Sequence, residues 1–321
     1  MNDIAPSLGV VLAGTMLAVA LGIGLLRRAK WGIRFADQPN SRSLHAVARL
    51  RIGGLVMVPV FLACASWLDP ARLVTLVLPC MLVFGVSLAD DLRGRPIAVR
   101  LAVHLAAAML AVGVPTPAGM LAVLAIVWSC NLFNFMDGAD GLAGGMAAIG
   151  FSALGLVAVM AGHHILAGLC FALASAALGF LAWNFPPARI FMGDAGSVPL
   201  GFLAGALSWQ GAAEGAWPLA VPLLLFSPFW VDASVTLLRR AARGERFWEA
   251  HRAHYYQRLV LAGWSHRRLA YAAYCLMFAC AIAAIAFPLA STQVQGAIML
   301  WWALGVAALA ILIDRRCARA R

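Results

Sequence analysis

The chain has 321 residues, 63% of them hydrophobic and only 12% charged, with a net charge of +11 and a mean hydropathy of +0.88. A water-soluble domain of this length carries about twice that charged fraction, so the composition excludes a soluble enzyme and marks an integral membrane protein. The seven cysteines are scattered through apolar runs without a CxxC pair, which argues against a disulfide framework or a zinc site.

Hydropathy predicts an all-α fold of eleven apolar spans in one polytopic domain covering 1–321. In chain order they are about 7–26, 52–68, 71–89, 98–114, 118–136, 142–161, 165–185, 197–213, 216–238, 268–289 and 296–313. The first has no basic n-region and is followed by Arg27, Arg28 and Lys30, so it reads as an uncleaved span rather than a signal peptide. The short ones fit broken or tilted helices. Segments 27–51, 90–97, 137–141, 186–196 and 239–267 and the tail from Asp314 follow the odd-numbered spans. With the adjoining Arg100 and Arg268, they hold every Lys and Arg except Arg72. Basic residues stay cytoplasmic, so the amino terminus is expected outside and the carboxyl terminus inside. The same placement ties the positive charge to the membrane surface and argues against nucleic acid as a partner.

The polar residues collect in those same loops. The first holds Asp37-Gln38-Pro39-Asn40-Ser41-Arg42-Ser43-Leu44-His45, then Arg51-Ile52-Gly53-Gly54, a supply of hydrogen-bond donors that includes Arg42 and His45. After span three come Asp90 and Asp91. Two like charges in a partly desolvated site raise one pKa and make a general base; the alternative is a solvated pair balanced by Arg93 and Arg95. From span five into span six, Val127 to Gly144 reads VWSCNLFNFMDGADGLAG, with Asn131, Asn134, Asp137 and Asp140 at every third position. Each step of three falls roughly 60° short of a helical turn, so a regular helix cannot aim all four at one pocket. The two Asn are therefore expected on the last helical turns, with Asp137-Gly138-Ala139-Asp140-Gly141 unwinding at the water boundary. A calcium loop does not fit, because the ligand spacing and the closing Glu are absent.

Phe191-Met192-Gly193-Asp194-Ala195-Gly196-Ser197 opens span eight. Its backbone N–H groups could hold phosphate oxygens and Asp194 could hold Mg²⁺, unless Asp194 merely caps the helix. Span nine contains Asp232, read as a structural partner of Arg239 and Arg240. The longest loop holds HRAHYYQRL, with His251, His254 and Arg258; no further ligand completes a zinc set, and the donors suit a diphosphate. His104, His163 and His164 read as packing or interface residues, and Arg27, Arg28 and the tail arginines as contacts to anionic lipid headgroups. Carboxylates for a metal, a base and cationic donors on one membrane face argue for phosphoryl transfer to a lipid that stays in the bilayer. A transporter with an intramembrane cation site is the rival, but it needs acids near the midplane. The spacing of the CDP-alcohol phosphatidyltransferases is absent after Asp137.

From about Asp37 to Arg268 the sequence resembles the bacterial polyprenyl-phosphate N-acetylhexosamine-1-phosphate transferases (glycosyltransferase family 4). The likeness is carried by DQPNSR, IGG, Asp90-Asp91, NLFNFMDGADGLAGG, the WN–FMGDAGS segment and HRAHYYQRL. It implies transfer of a sugar 1-phosphate from a UDP-sugar to undecaprenyl phosphate with release of UMP. It also implies Mg²⁺, with Mn²⁺ as an alternative, and an active site on the cytoplasmic face of a bacterial inner membrane. By that resemblance Asp194 is the metal ligand and Asp90 the base with Asp91 beside it. Asn131, Asn134, Asp137 and Asp140 line the nucleotide–metal pocket. Asn184 and Phe191 lie near the uracil, and His251, His254 and Arg258 meet the sugar and diphosphate. The family lysine after the Asp pair is replaced by Arg93, Arg95 or Arg100. The spaced HxxH is similar to the initiators of O-antigen, lipopolysaccharide and related surface glycans, rather than to the phospho-MurNAc-pentapeptide translocases of peptidoglycan synthesis. Sugar identity and a homodimer are left open.

Overall fold

The computed structural model describes residues 4–29, 35–37, 49–113, 116–246, 249 and 251–319. The helices are α1 (Ile4–Arg28), α2 (Gly53–Leu68), α3 (Val77–Arg93), α4 (Ile97–Val112), α5 (Pro117–Met136), α6 (Leu142–Met160) and α7 (His164–Asn184). They continue as α8 (Asp194–Ala213), α9 (Ala220–Leu225), α10 (Ser227–Ala242), α11 (Tyr255–Leu261), α12 (His266–Ala286) and α13 (Thr292–Arg319). A two-residue antiparallel ladder pairs Ala36 with Leu50 and Asp37 with Arg49.

Each apolar stretch read from the sequence coincides with a helix, the ninth being split into α9 and α10. The split falls at Phe226, where Pro228 in the first turn of α10 has no N–H to continue the ladder from α9. Among the described residues, seven helices are long and apolar enough to cross a membrane, and α2 and α4 are shorter apolar helices. Starts follow local chemistry. Thr116 accepts the Gly119 N–H at 3.0 Å ahead of Pro117, and Ser265 accepts the Arg268 N–H at 3.2 Å. Between α10 and α12 lies α11, which hydropathy did not reveal because it is short and half polar.

A helix apolar on every side faces protein or lipid, and burial separates the two cases. The most apolar stretches of α6 and α7 are 83% and 72% buried, those of α1 and α13 17% and 0%. The enclosed helices α5 to α8 form the centre, with α1, α12 and α13 at the lipid-facing rim. α5 packs on α8, α3 on α8 and α6 on α7. The α5–α8 approach is close because Gly201 meets the Ser129 backbone, where a Cβ would lie 2.2 Å from its carbonyl oxygen. That contact brings the end of α5 beside the start of α8. Arg42 and His45 lie outside the described residues.

Candidate active site

Two glycines begin the site. Gly193, at φ 76°, turns the chain into α8, and Gly54 lets the start of α2 pass the start of α8, where a Cβ would lie 2.3 Å from the Gly196 nitrogen. The Gly53 and Gly54 N–H groups donate to the carbonyls of Phe191 and Met192 at 3.0 and 2.9 Å, so IGG and FMGD fold as one unit.

Asp194 is the first residue of α8, yet it does not cap it. Asp91, in the last turn of α3, accepts the N–H groups of Asp194 and Ala195 at 3.2 and 2.8 Å, and Arg51 lies 3.7 Å away. The next two N–H groups, of Gly196 and Ser197, donate to the Gly193 carbonyl at 3.0 Å each. The expectation that this helix start offers backbone donors to phosphate is thereby overturned: all four are spent. The same geometry removes the reading of Asp194 as a mere cap and leaves its carboxylate to other partners.

Those partners come from α5 and α4. The Asn134 amide donates to Asp194 Oδ1 at 2.8 Å and to Ser197 Oγ at 3.1 Å. Arg100 Nη1 lies 3.8 Å from Asp194 Oδ2 and donates to Asp90 Oδ2 at 2.5 Å, while the Arg95 backbone N–H donates to the other Asp90 oxygen at 2.5 Å. Asp90 and Asp91 therefore meet Asp194 from different sides, rather than pairing with each other as the sequence suggested. Successive helical positions point about 100° apart, so Asp90 turns to Arg100 and Asp91 to α8. Of the three arginines weighed for the family lysine, only the Arg100 guanidinium joins the acids; Arg93 is exposed and Arg95 contributes a backbone donor.

Asp137 follows α5 directly. Burial pushes its carboxyl well above the usual carboxylate range; the neighbouring Asp194, Asp91 and Asp140 push the same way, against Arg51. Asp140 behaves oppositely. Burial alone would raise it, but hydrogen bonds involving His266 and the Ala188 N–H, together with the Arg49 charge, hold it below the ordinary range. Its Oδ2 accepts the Ala188 N–H at 2.9 Å and Arg49 at 3.4 Å, and Oδ1 lies 3.2 Å from His266 Nδ1. Asp140 thus ties three segments together.

Other sequence candidates are held by the scaffold. The Asn131 amide donates to its own helix at Val127 O, 2.8 Å away. Asn184, buried, accepts the Gly141 N–H and donates to Ile190 O, both at 2.9 Å, latching the 137–141 turn to the FMGD segment. The Phe191 ring lies under the Arg49 guanidinium at 5.4 Å. Asp232 is not the partner of Arg239 and Arg240. It accepts the N–H groups of Tyr255 and Tyr256 at 2.9 and 3.1 Å, because the unanticipated α11 presents its bare N-terminus there. His254 stacks between Phe135 and Tyr256, with Nδ1 3.4 Å from Asp232. His251 packs on it at 4.9 Å, and burial, then His254 and Arg240, lower its pKa to about 4, so it is a neutral group. Arg258 pairs with Asp314 at 2.6 Å rather than with the acids. Tyr256 links this loop to the site, its hydroxyl donating to Phe135 O at 2.9 Å.

Asp90, Asp91, Asp137, Asp194 and Asn134 are therefore brought together with Arg51 and Arg100. Arg51 was visible only as one donor in a loop, and the His266 contact to Asp140, 126 residues distant, left no local signal. Among the described residues no three His, Cys, Asp or Glu side chains form a metal cage by themselves. Mg²⁺ does not need one, since it takes one or two carboxylates plus waters and phosphates. Asp194 and Asp137 are a donor set of that kind.

Comparison with known proteins agrees. A family model described as glycosyl transferase family 4 matches residues 73–212. The chain is 30% identical to a phospho-N-acetylmuramoyl-pentapeptide-transferase of Picosynechococcus sp., over 85% of this chain and 84% of that one. It is 27% identical to a probable undecaprenyl-phosphate N-acetylglucosaminyl 1-phosphate transferase of Bacillus subtilis, over 84% and 82%. It is 30% identical to a decaprenyl-phosphate N-acetylglucosaminephosphotransferase of Mycobacterium tuberculosis, over 72% and 70%. The chain belongs to glycosyl transferase family 4, as a multi-pass membrane enzyme.

Proposed function

We propose that the enzyme transfers an N-acetylhexosamine 1-phosphate from a UDP-sugar to undecaprenyl phosphate on the cytoplasmic face of the inner membrane. An oxygen of the lipid phosphate attacks the β-phosphorus of the UDP-sugar. A new P–O–P linkage forms, the bond from that phosphorus to the α–β bridging oxygen breaks, and UMP leaves. The observation that carries this reading is the meeting of four carboxylates from α3, α5 and α8 beside Arg100, at the end of a membrane bundle. Names of the relatives support a polyprenyl-phosphate acceptor.

Asp194 and Asp137 would hold Mg²⁺, which when bound supplies positive charge against the diphosphate and the departing UMP. Arg100, between Asp90 and Asp194, is assigned to the acceptor phosphate. Asp90 takes the proton of a monoanionic acceptor as it attacks. Asp91 positions Asp194 through the α8 N-terminus rather than touching substrate. The spaced His251 and His254 favour a surface-glycan initiator such as an O-antigen enzyme. The Picosynechococcus relative keeps UDP-MurNAc-pentapeptide in the comparison. Purified enzyme with undecaprenyl phosphate and Mg²⁺, given a panel of UDP-N-acetylhexosamines and UDP-MurNAc-pentapeptide, is expected to release UMP with one of the simple sugars. Release only with the pentapeptide moves the enzyme to peptidoglycan synthesis, and no release with any donor rejects the reaction.

A further inference from the structure

The site above leaves the α10–α13 side of the molecule unused. There α10, α11, α12 and α13 enclose a cleft of about 430 Å³, walled by residues such as Phe229, Leu276, Met277, Leu309 and Ile313 and ending at Arg316. Ligand sites run from about 300 to 1,000 Å³, so one hydrocarbon chain fits. A second concavity, formed by Arg315, Arg316 and Arg319 with Ala262 and Leu312, shares Arg316 and Leu312 with the first. An apolar slot thus runs straight into three guanidiniums. Among the described residues, neither nearby acid neutralises them: Asp232 is spent on the α11 N-terminus and Asp314 on Arg239 and Arg258.

Two further features fit an oxygen-bearing occupant. Among the described residues the Tyr255 hydroxyl and the Trp264 indole N–H find no acceptor; both rings line the cleft, and Tyr255 is only 6% exposed. The Arg316 and Arg268 guanidiniums lie 5.5 and 4.4 Å from the Trp264 ring, which gathers positive charge at the cleft mouth. One wall, α13, has an apolar stretch that is 0% buried, so the cleft borders lipid.

We propose that this cleft binds an anionic glycerophospholipid, one acyl chain in the slot and its phosphate on Arg315, Arg316 and Arg319. The polyprenyl carrier is the poorer occupant. Its phosphate must reach α4 and α8 to react, whereas these arginines sit on α13, which packs chiefly on α11 and the 287–289 turn. The bound lipid braces α11 from behind. Tyr256 and Met136 line the same cleft, and the Tyr256 hydroxyl holds Phe135, two residues before Asp137. Lipid in this slot therefore steadies the strand of chain that carries a site carboxylate.

Native mass spectrometry of the whole protein, titrated with phosphatidylglycerol, phosphatidylcholine and undecaprenyl phosphate, tests binding without reference to turnover. Wild type is expected to retain phosphatidylglycerol. The combined Arg315→Ala, Arg316→Ala and Arg319→Ala variant is expected to lose it by roughly a hundredfold, from the loss of three charges near the headgroup. Ala310→Trp, which fills the slot and leaves the charge alone, is expected to lose it as well, and decides the matter where the triple variant does not fold. Unchanged retention in Ala310→Trp overturns the proposal, as does equal retention of phosphatidylcholine. Retention of undecaprenyl phosphate in place of phosphatidylglycerol assigns the cleft to the carrier instead.

Discussion

Each end of α8 carries a polar cluster, and the two are built on opposite lines. At the far end Arg72 is saturated: Nε donates to Asp69 at 2.8 Å, Nη1 to Gln210 at 2.7 Å, and Nη2 to both oxygens of Glu214 at 2.7 and 2.8 Å. Gln210 in turn donates to Thr75 O at 3.0 Å. About 30 Å away along the helix, the first residue of α8 stands among Asp90, Asp91 and Asp137, with Arg51 and Arg100 for balance among the described residues. In the first cluster both acids, Asp69 and Glu214, are bound directly to one guanidinium, and the charges sum to a single negative one. Among the described residues the second sets four carboxylates against two guanidiniums, a larger excess, of the kind that a bound dication would offset.

The sharpest way to break that contrast is Asp194→Asn. Because Asp91 caps α8, the variant should fold with an unchanged melting temperature while UMP release falls by about 10³-fold, a loss typical of removing a charge-stabilising group. Near-normal turnover would reject its role as ligand. Asp91→Ala should cost less activity, about 10²-fold, since it displaces Asp194 rather than deleting it, and should also lower stability by about 1–2 kcal/mol through the lost cap. Melting and UMP release measured together separate the two effects; activity lost with no change in stability would place Asp91 on substrate.

At the other end Arg72→Met should do the converse. Stability should drop by about 2–3 kcal/mol, because partly buried acceptors lose their donor, while kcat per folded molecule is retained. A selective loss of kcat would mean that the two ends communicate.

Proton competition gives a smaller effect. Asp137 holds its proton to higher pH than an ordinary carboxylate, and cation binding must displace it, so the Mg²⁺ concentration for half-maximal rate should fall as pH rises. A Mg²⁺ requirement independent of pH would exclude Asp137 from the ligand set. The smallest effect is expected for His251→Asn. With its pKa lowered to about 4, His251 is neutral at working pH, so the pH–rate profile should keep its shape. Its lowered value also means that unfolded chains take up a proton first as pH falls below about 6.5. Wild type should therefore lose stability between about pH 6.5 and 4, a loss that His251→Asn lacks.

Much of the fold was legible because hydropathy is a local property: the apolar runs and their glycine-, proline- and threonine-marked ends coincide with helices. The acids were legible as a group for the same reason, standing out against apolar sequence at membrane-span ends. Their individual tasks were not. Asp90 and Asp91 looked like one pair until helical geometry sent them to different partners, and the choice for Asp194 between metal ligand and cap was narrowed when Asp91 proved to do the capping. Asp140 and Asn184, read as pocket residues, also latch segments that are far apart in the chain. α11 escaped notice because its start is defined by Asp232, 23 residues earlier.

By itself, then, the order of amino acids determined where the chain is apolar, how it breaks into helices and which few polar side chains remain at their ends. These follow from burial and backbone hydrogen bonding within neighbouring residues. Only the tertiary structure decided which carboxylate is bonded to which donor, because each such bond joins helices brought together by packing of small residues such as Gly54, Gly196 and Gly201. A carboxylate's role depends on its distance from other charges, and that distance exists only once the helices have met.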